Sequence, residues 1–157
     1  MAKSKKSNHK IDKKYLKIIK PILWLLIGIF ILLVGFFAVP EPKRVLFLYA
    51  AILALIFLLL GITLIFLTIK QKIKGKLRLF LILTGVSAIC PFVFAILHNL
   101  FYALAILTGK VILLKYLMEF LHLTSFFIAL LASPIAFLVG AIGSIILFTK
   151  KGRQHSR

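Results

Sequence analysis

The sequence predicts an all-α integral membrane protein with four transmembrane helices. Hydrophobic residues make up 62% of the 157-residue chain, against roughly 45–50% apolar residues in a soluble domain. The excess is gathered in four apolar blocks, about 21–39, 45–69, 79–107 and 124–148. Each is close to or longer than the ~20 residues that cross a bilayer as a helix. The charge lies outside those blocks: 21 Lys and Arg face only three acids, Asp12, Glu41 and Glu119, for a net charge of +18. In a soluble chain that balance would point to nucleic acid. At the ends of apolar spans it points to topology and to anionic lipid, with no nucleic acid partner.

Residues 1–20 form a basic cytoplasmic tail with eight lysines. Its first ten or so residues are expected to be solvated and disordered. From Ile11 on, Ile11, Tyr15, Ile18 and Ile19 recur near helical spacing among lysines, which predicts a short amphipathic helix on the membrane surface. The first span starts at Pro21, a residue suited to a first helical turn. It exceeds the 7–15 apolar residues of a signal-peptide core, and Ala38-Val39-Pro40 is a poor cleavage site, so it reads as an uncleaved anchor. Tyr15 and Trp24 fall toward the inner interface, where aromatic belts form.

Pro40-Glu41-Pro42-Lys43-Arg44 is a tight connection, because two prolines stop a helix. It makes spans one and two an antiparallel hairpin. Gly28 and Gly35 in span one, and Ala54 and Gly61 in span two, each lie one heptad apart and are placed to face each other at a close crossing. The loop Lys70–Arg78 carries five positive charges and no acid. Span three runs from Leu79 to Leu107. At 1.5 Å per residue, Cys90 and Pro91 fall near mid-membrane and His98-Asn99 about 30 Å in, near the outer boundary.

In the outer connection, Lys115, Glu119 and His122 are spaced i, i+4, i+7 and share a helical face. This predicts an amphipathic outer helix or an early start to the last span. Span four, Thr124–Phe148, carries Ala132, Ala136, Gly140 and Ser144 as an i+4 stripe of small residues. Such a stripe lets another helix approach closely. Span three, with Gly85, Ser87, Pro91, Ala95, Asn99 and Ala103, is the expected partner; a second copy of the chain is the other choice. Residues 149–157 form a second basic tail. The eight, five and four cations of the N-tail, the middle loop and the C-tail outnumber the two in each other loop. Both termini are therefore expected in the cytoplasm, with the protein in the plasma membrane.

His98, Asn99, Glu119 and His122 are the candidate polar or ligand site. Polar groups at membrane depth usually face protein or water and often serve function. Glu119-x-x-His122 with His98 has a spacing that could hold a metal, but Lys115 shares that face and opposes a cation. The expectation is no metal and no cofactor. Pro91 and Pro134, inside spans three and four, are candidate kinks. Cys90 beside Pro91 reads as a buried structural thiol. Asp and Glu are missing from the spans, which disfavours proton-coupled carriers and excludes an intramembrane aspartyl protease or an aspartate-clustered lipid-phosphate transferase. A single cysteine excludes a CxxC redox pair, and no P-loop, GxSxG or HExxH occurs. The chain is not expected to be an enzyme.

The runs LTGVSAICPFVFAILHNLFYAL and SPIAFLVGAIGSIILF, in spans three and four, which make up about a third of the chain, resemble small four-span membrane proteins of prokaryotes. That resemblance implies a membrane location and no activity. The basic four-span plan is also similar to the small lipid-linked-sugar translocase family, but its motifs find no match here. The expected function is a structural or accessory membrane subunit that assembles with itself or a larger complex through the span-four stripe. The alternative is a small transporter or lipid-linked substrate translocase with its site at the outer end of span three.

Overall fold

Helices account for the whole architecture of the computed structural model, which describes residues 2–38, 40 and 44–153, with side-chain surroundings from Ile18 to Lys150 apart from Phe37. They are α1 (Ala2–Phe37), α2 (Arg44–Lys70), α3 (Lys76–Leu107), α4 (Ile112–Phe127) and α5 (Ser133–Arg153). A π-helical turn, Ile128–Ala132, joins α4 to α5 without a break. Four stretches are long and apolar enough to cross a membrane: Ile18–Phe36, Arg44–Lys70, Lys76–Leu107 and Ile112–Lys150. The Glu41-Pro42-Lys43 stop and residues 154–157 of the C-tail lie outside the described residues.

Two boundaries differ from the sequence reading. α1 extends back to Ala2, so the segment expected to be a solvated tail and a separate surface helix is helical and continuous with the first span. Lysine is a good helix former and nothing before Pro21 breaks the run. Pro21 itself sits inside α1 rather than in its first turn; it leaves only the Lys17 carbonyl without a helical donor, at a level where water can serve it. At the other end, the outer connection is an early start to the last span. α4, the π turn and α5 form one helical rod from Ile112 to Arg153.

Helix α3 is the central element. It packs on α2, α4 and α5, while α1 packs on α2. Its neighbours come close where side chains are missing. A Cβ on Gly61 of α2 would stand 2.8 Å from the Ala88 Cβ and 3.0 Å from the Gly85 carbonyl oxygen. One on Gly85 would stand 2.5 Å from Ile65 and 2.9 Å from the Gly61 carbonyl oxygen. On the other side, a Cβ on Gly140 of α5 would meet the Thr84 Oγ1 at 2.6 Å and its backbone nitrogen at 2.7 Å. Gly143 would drive one into the Phe80 ring. So Gly61 faces α3 rather than Gly28 or Gly35, and those two have open space around them.

The α1 side of the bundle is held by larger groups. Ile19, Leu23, Leu26 and Ile29 are buried at helical spacing. Phe30 of α1, Phe57 of α2 and Phe137 of α5 meet in a three-ring node, with Phe30 stacked on Phe137 at 4.5 Å between centroids and Phe57 5.2 Å from Phe137. Most hydroxyls in the spans turn back on their own helices. Thr68, Thr84 and Ser87 donate to the carbonyls of Leu64, Phe80 and Leu83 at 2.7–2.8 Å. That satisfies each polar group locally, as a bilayer demands, and leaves shape to decide how these helices meet.

The two prolines behave differently. α3 runs unbroken through Pro91. Before Pro134 the helix widens to the π turn, and both the Ser133 backbone N–H and its Oγ (2.8 Å) donate to the Ile128 carbonyl. The proline ring would clash with the carbonyl four residues back, and the wider turn moves that carbonyl aside.

Helix lengths are unequal. The apolar part of α1 has 19 residues, about 28 Å, whereas α3 has 32 residues, about 48 Å. Lys20 and Lys70 mark one end of the bundle, their ammonium groups 5.6 and 5.5 Å from the Phe148 and Phe66 rings. The α3–α4 turn lies at the far end.

Gly85→Ala and Gly140→Ala should each destabilise the bundle by about 1–3 kcal/mol, as overpacked sites do. Gly28→Ala should be neutral or stabilise by up to about 1 kcal/mol, the helix-propensity gain. Thermal unfolding of the three variants in one detergent checks the contrast.

Candidate functional site

His98 lies in the far half of α3, and His122 lies on α4 opposite it. Their side chains close on each other's backbone. The His98 Nδ1 is 3.2 Å from the His122 carbonyl oxygen, and the His122 Nδ1 is 3.0 Å from the His98 carbonyl oxygen. A carbonyl only accepts, so both Nδ1 atoms carry the hydrogen and donate. In the neutral rings both Nε2 atoms then hold bare lone pairs. The rings stack with centroids 3.8 Å apart and planes 23° from parallel.

This pair is the centre of a ladder. Tyr102 follows His98 by one helical turn, and Phe126 follows His122 by one turn, so each pair lies on one face of its helix. Because α3 and α4 run antiparallel, the four rings interleave. Tyr102 is 5.4 Å from His122, and Phe126 is 5.5 Å from His98. The order Tyr102, His122, His98, Phe126 alternates between the two helices. Both histidines are half-buried. Among the described residues, these two hydrogen bonds are the side-chain bonds that cross from one helix to another.

The other predicted residues are not drawn into this cluster. Asn99 is exposed and donates to the Ala95 carbonyl of its own helix at 2.8 Å. Glu119 is half-exposed and pairs with Lys115, 3.7 Å away on the same helix. Among the described residues, no three of His, Cys, Asp and Glu come together as a metal site would need. In the α5 stripe, Gly140 is covered by α3 and Ser144 is fully buried, its Oγ without a partner among the described residues. Ala136 is half-buried and Ala132 is exposed at the end of the π turn. Gly85 is used against α2, Ala95 serves through its carbonyl, and Cys90 is a half-buried free thiol.

Tyr102 and Phe126 were missed by sequence reasoning. Their signal is visible in retrospect: an aromatic ring four residues after each intramembrane histidine. Thr84 and Phe80, which receive α5, were also missed, because the small-residue pattern marks only one side of a close contact. Comparison with family models, curated proteins and solved structures found no match for this chain.

The geometry makes the pair a cross-helix clamp. His98→Ala and His122→Ala should each loosen α4 from α3, and the double variant should cost less than the sum of the two. A double-mutant cycle should return a coupling of about 1–2 kcal/mol, the upper range for hydrogen-bonded pairs in membranes. Asn99→Ala should leave stability unchanged within about 0.5 kcal/mol.

Proposed function

We propose that this protein is a small multi-pass structural or accessory subunit of the plasma membrane, acting through helix packing rather than catalysis. The observation that supports this is where the polar side chains of the spans go. His98, His122, Asn99, Thr68, Thr84, Ser87 and Ser133 all bond backbone carbonyls within the bundle. The perimeter that remains is apolar, suited to lipid and to neighbouring helices.

The α5 stripe is covered by α3 at Gly140, which moves the assembly face to α1. There Gly28 and Gly35 are exposed, with open space around them, beside exposed Trp24, Ile31 and Leu32. Small residues one heptad apart let a second backbone come close. The partner is a second copy or a larger membrane complex. The cation excess of the N-tail, the Lys70–Arg78 loop and the C-tail supports a cytoplasmic location for both termini, with anionic headgroups as their lipid partners. A transport role would need His98 and Asn99 turned toward a groove. Their bonds to the His122 and Ala95 carbonyls weigh against it.

Purification in mild detergent should give a homo-oligomer or a co-purifying membrane protein. Gly28→Leu with Gly35→Leu should abolish that association while the thermal midpoint holds; association that survives both changes removes the reading. In a Cys90→Ala background, a cysteine at Lys74 should react with an impermeant maleimide only after cells are opened. Labelling from outside would invert the topology.

A further inference from the structure

We infer that the His98–His122 pair is a proton-operated latch on the α3–α4 arm. α4 packs on α3 and on the π turn, and the turn that precedes it is closed by the Val111 N–H donating to the Thr108 carbonyl at 2.9 Å. The clamp therefore sits between two joints. One is the Thr108–Val111 turn, and the other is the π turn, where wider hydrogen bonding replaces the regular ladder. Such turns are places where a helix can bend or rotate.

In the neutral clamp both Nδ1–H groups are committed to the opposing backbone, and neither Nε2 has a hydrogen-bond partner among the described residues. A proton added at one Nε2 turns that ring into a cation and breaks neither bond. A proton added at the second sets two imidazolium rings face to face at 3.8 Å between centroids. At that distance like charges repel. The neutral clamp and the singly protonated clamp hold; the doubly protonated clamp opens.

The surroundings offer little to offset that repulsion. On α3 the nearby titratable group is the Tyr102 phenol; at this end of the bundle α2 brings Arg44 and Tyr49 and the α3–α4 turn brings Lys110, none of them a carboxylate. On α4, Glu119 lies one turn from His122, but its carboxylate is engaged with Lys115 a further turn away. That leaves the α4 face close to neutral before the histidines charge. The π turn, IALLA, contributes no titratable group. Acid at this end of the bundle should therefore loosen α4 from α3, while the glycine contacts of α3 with α2 and α5, which contain no titratable group, stay closed.

The test is amide hydrogen exchange of the full chain in lipid nanodiscs, at about pH 8 and about pH 5, the range over which histidine changes charge. Rates are corrected for the intrinsic pH dependence of exchange and normalised to amides of α2. Amides of Ile112–Phe127 should exchange about tenfold faster at the acid pH, as a local opening does. His98→Asn and His122→Asn each keep a donor near the Nδ1 position but cannot titrate. Either change leaves one ring at most to charge, so each should make α4 exchange independent of pH. Equal α4 exchange at both pH values in the unaltered protein overturns the proposal. So does a pH response that persists in either Asn variant. If one Asn variant does not fold, the other carries the same comparison.

Discussion

The approach of α3 to two neighbours at backbone distance is the constraint on which the rest of the bundle depends. In a bilayer, apolar side chains gain nothing by leaving lipid for protein, so helices associate through close fit and polar contact. Gly61 and Gly85 let α2 in on one side of α3, and Gly140 and Gly143 let α5 in on the other. Thr84 and Ser87 bond their own helix there, so dispersion across the close contacts is the main attraction. α1 then closes the bundle with bulk instead of proximity, through the Phe30–Phe57–Phe137 node. The far half of α3 meets α4 by a different rule, with two reciprocal hydrogen bonds and a ladder of rings. One helix thus carries a shape-defined contact at its basic end and a chemically defined one at the other.

The spans were legible because a bilayer imposes length and apolarity on any helix that crosses it, and the blocks at 45–69 and 79–107 obey that rule. Of the α5 stripe, Gly140 meets α3 at Thr84 while Ala132 lies exposed, so four small residues at i+4 do not all mark one contact. Gly28 and Gly35 misled for the same physical reason. A glycine notch signals that a backbone can approach, not which one, and Gly61 found Gly85. The ends of helices were least legible. No breaker separates the lysine-rich segment from span one, nor Glu119 from span four, so charge suggested boundaries that the backbone ignores. His98 stood out as polar within an apolar run, but its partner lay in a segment read as a surface connection. Bringing His122 to it required the turn at Thr108–Val111 to fold the two helices back at a particular register, which periodicity alone does not specify.

The contrast between the prolines separates sequence from context. Pro91 lies in α3, and the helix passes through it intact. Pro134 follows a π turn that itself packs on α3, and there the backbone relaxes into a wider turn. The same residue thus leaves one helix regular and accompanies a wider turn in the other.

The unequal helices bear on the lipid itself. With about 28 Å of apolar α1 on one flank and about 48 Å of α3 backed by the α4 rod on another, the molecule offers a low wall and a high wall to the same bilayer. Leu107 and Leu113, at 78% and 82% exposure, extend the high wall to its very top. Lipid beside that wall must stretch, or the hairpin must lean, at a cost of fractions of a kcal/mol per Å of mismatch. The molecule thus presents unequal apolar heights to the bilayer around its perimeter.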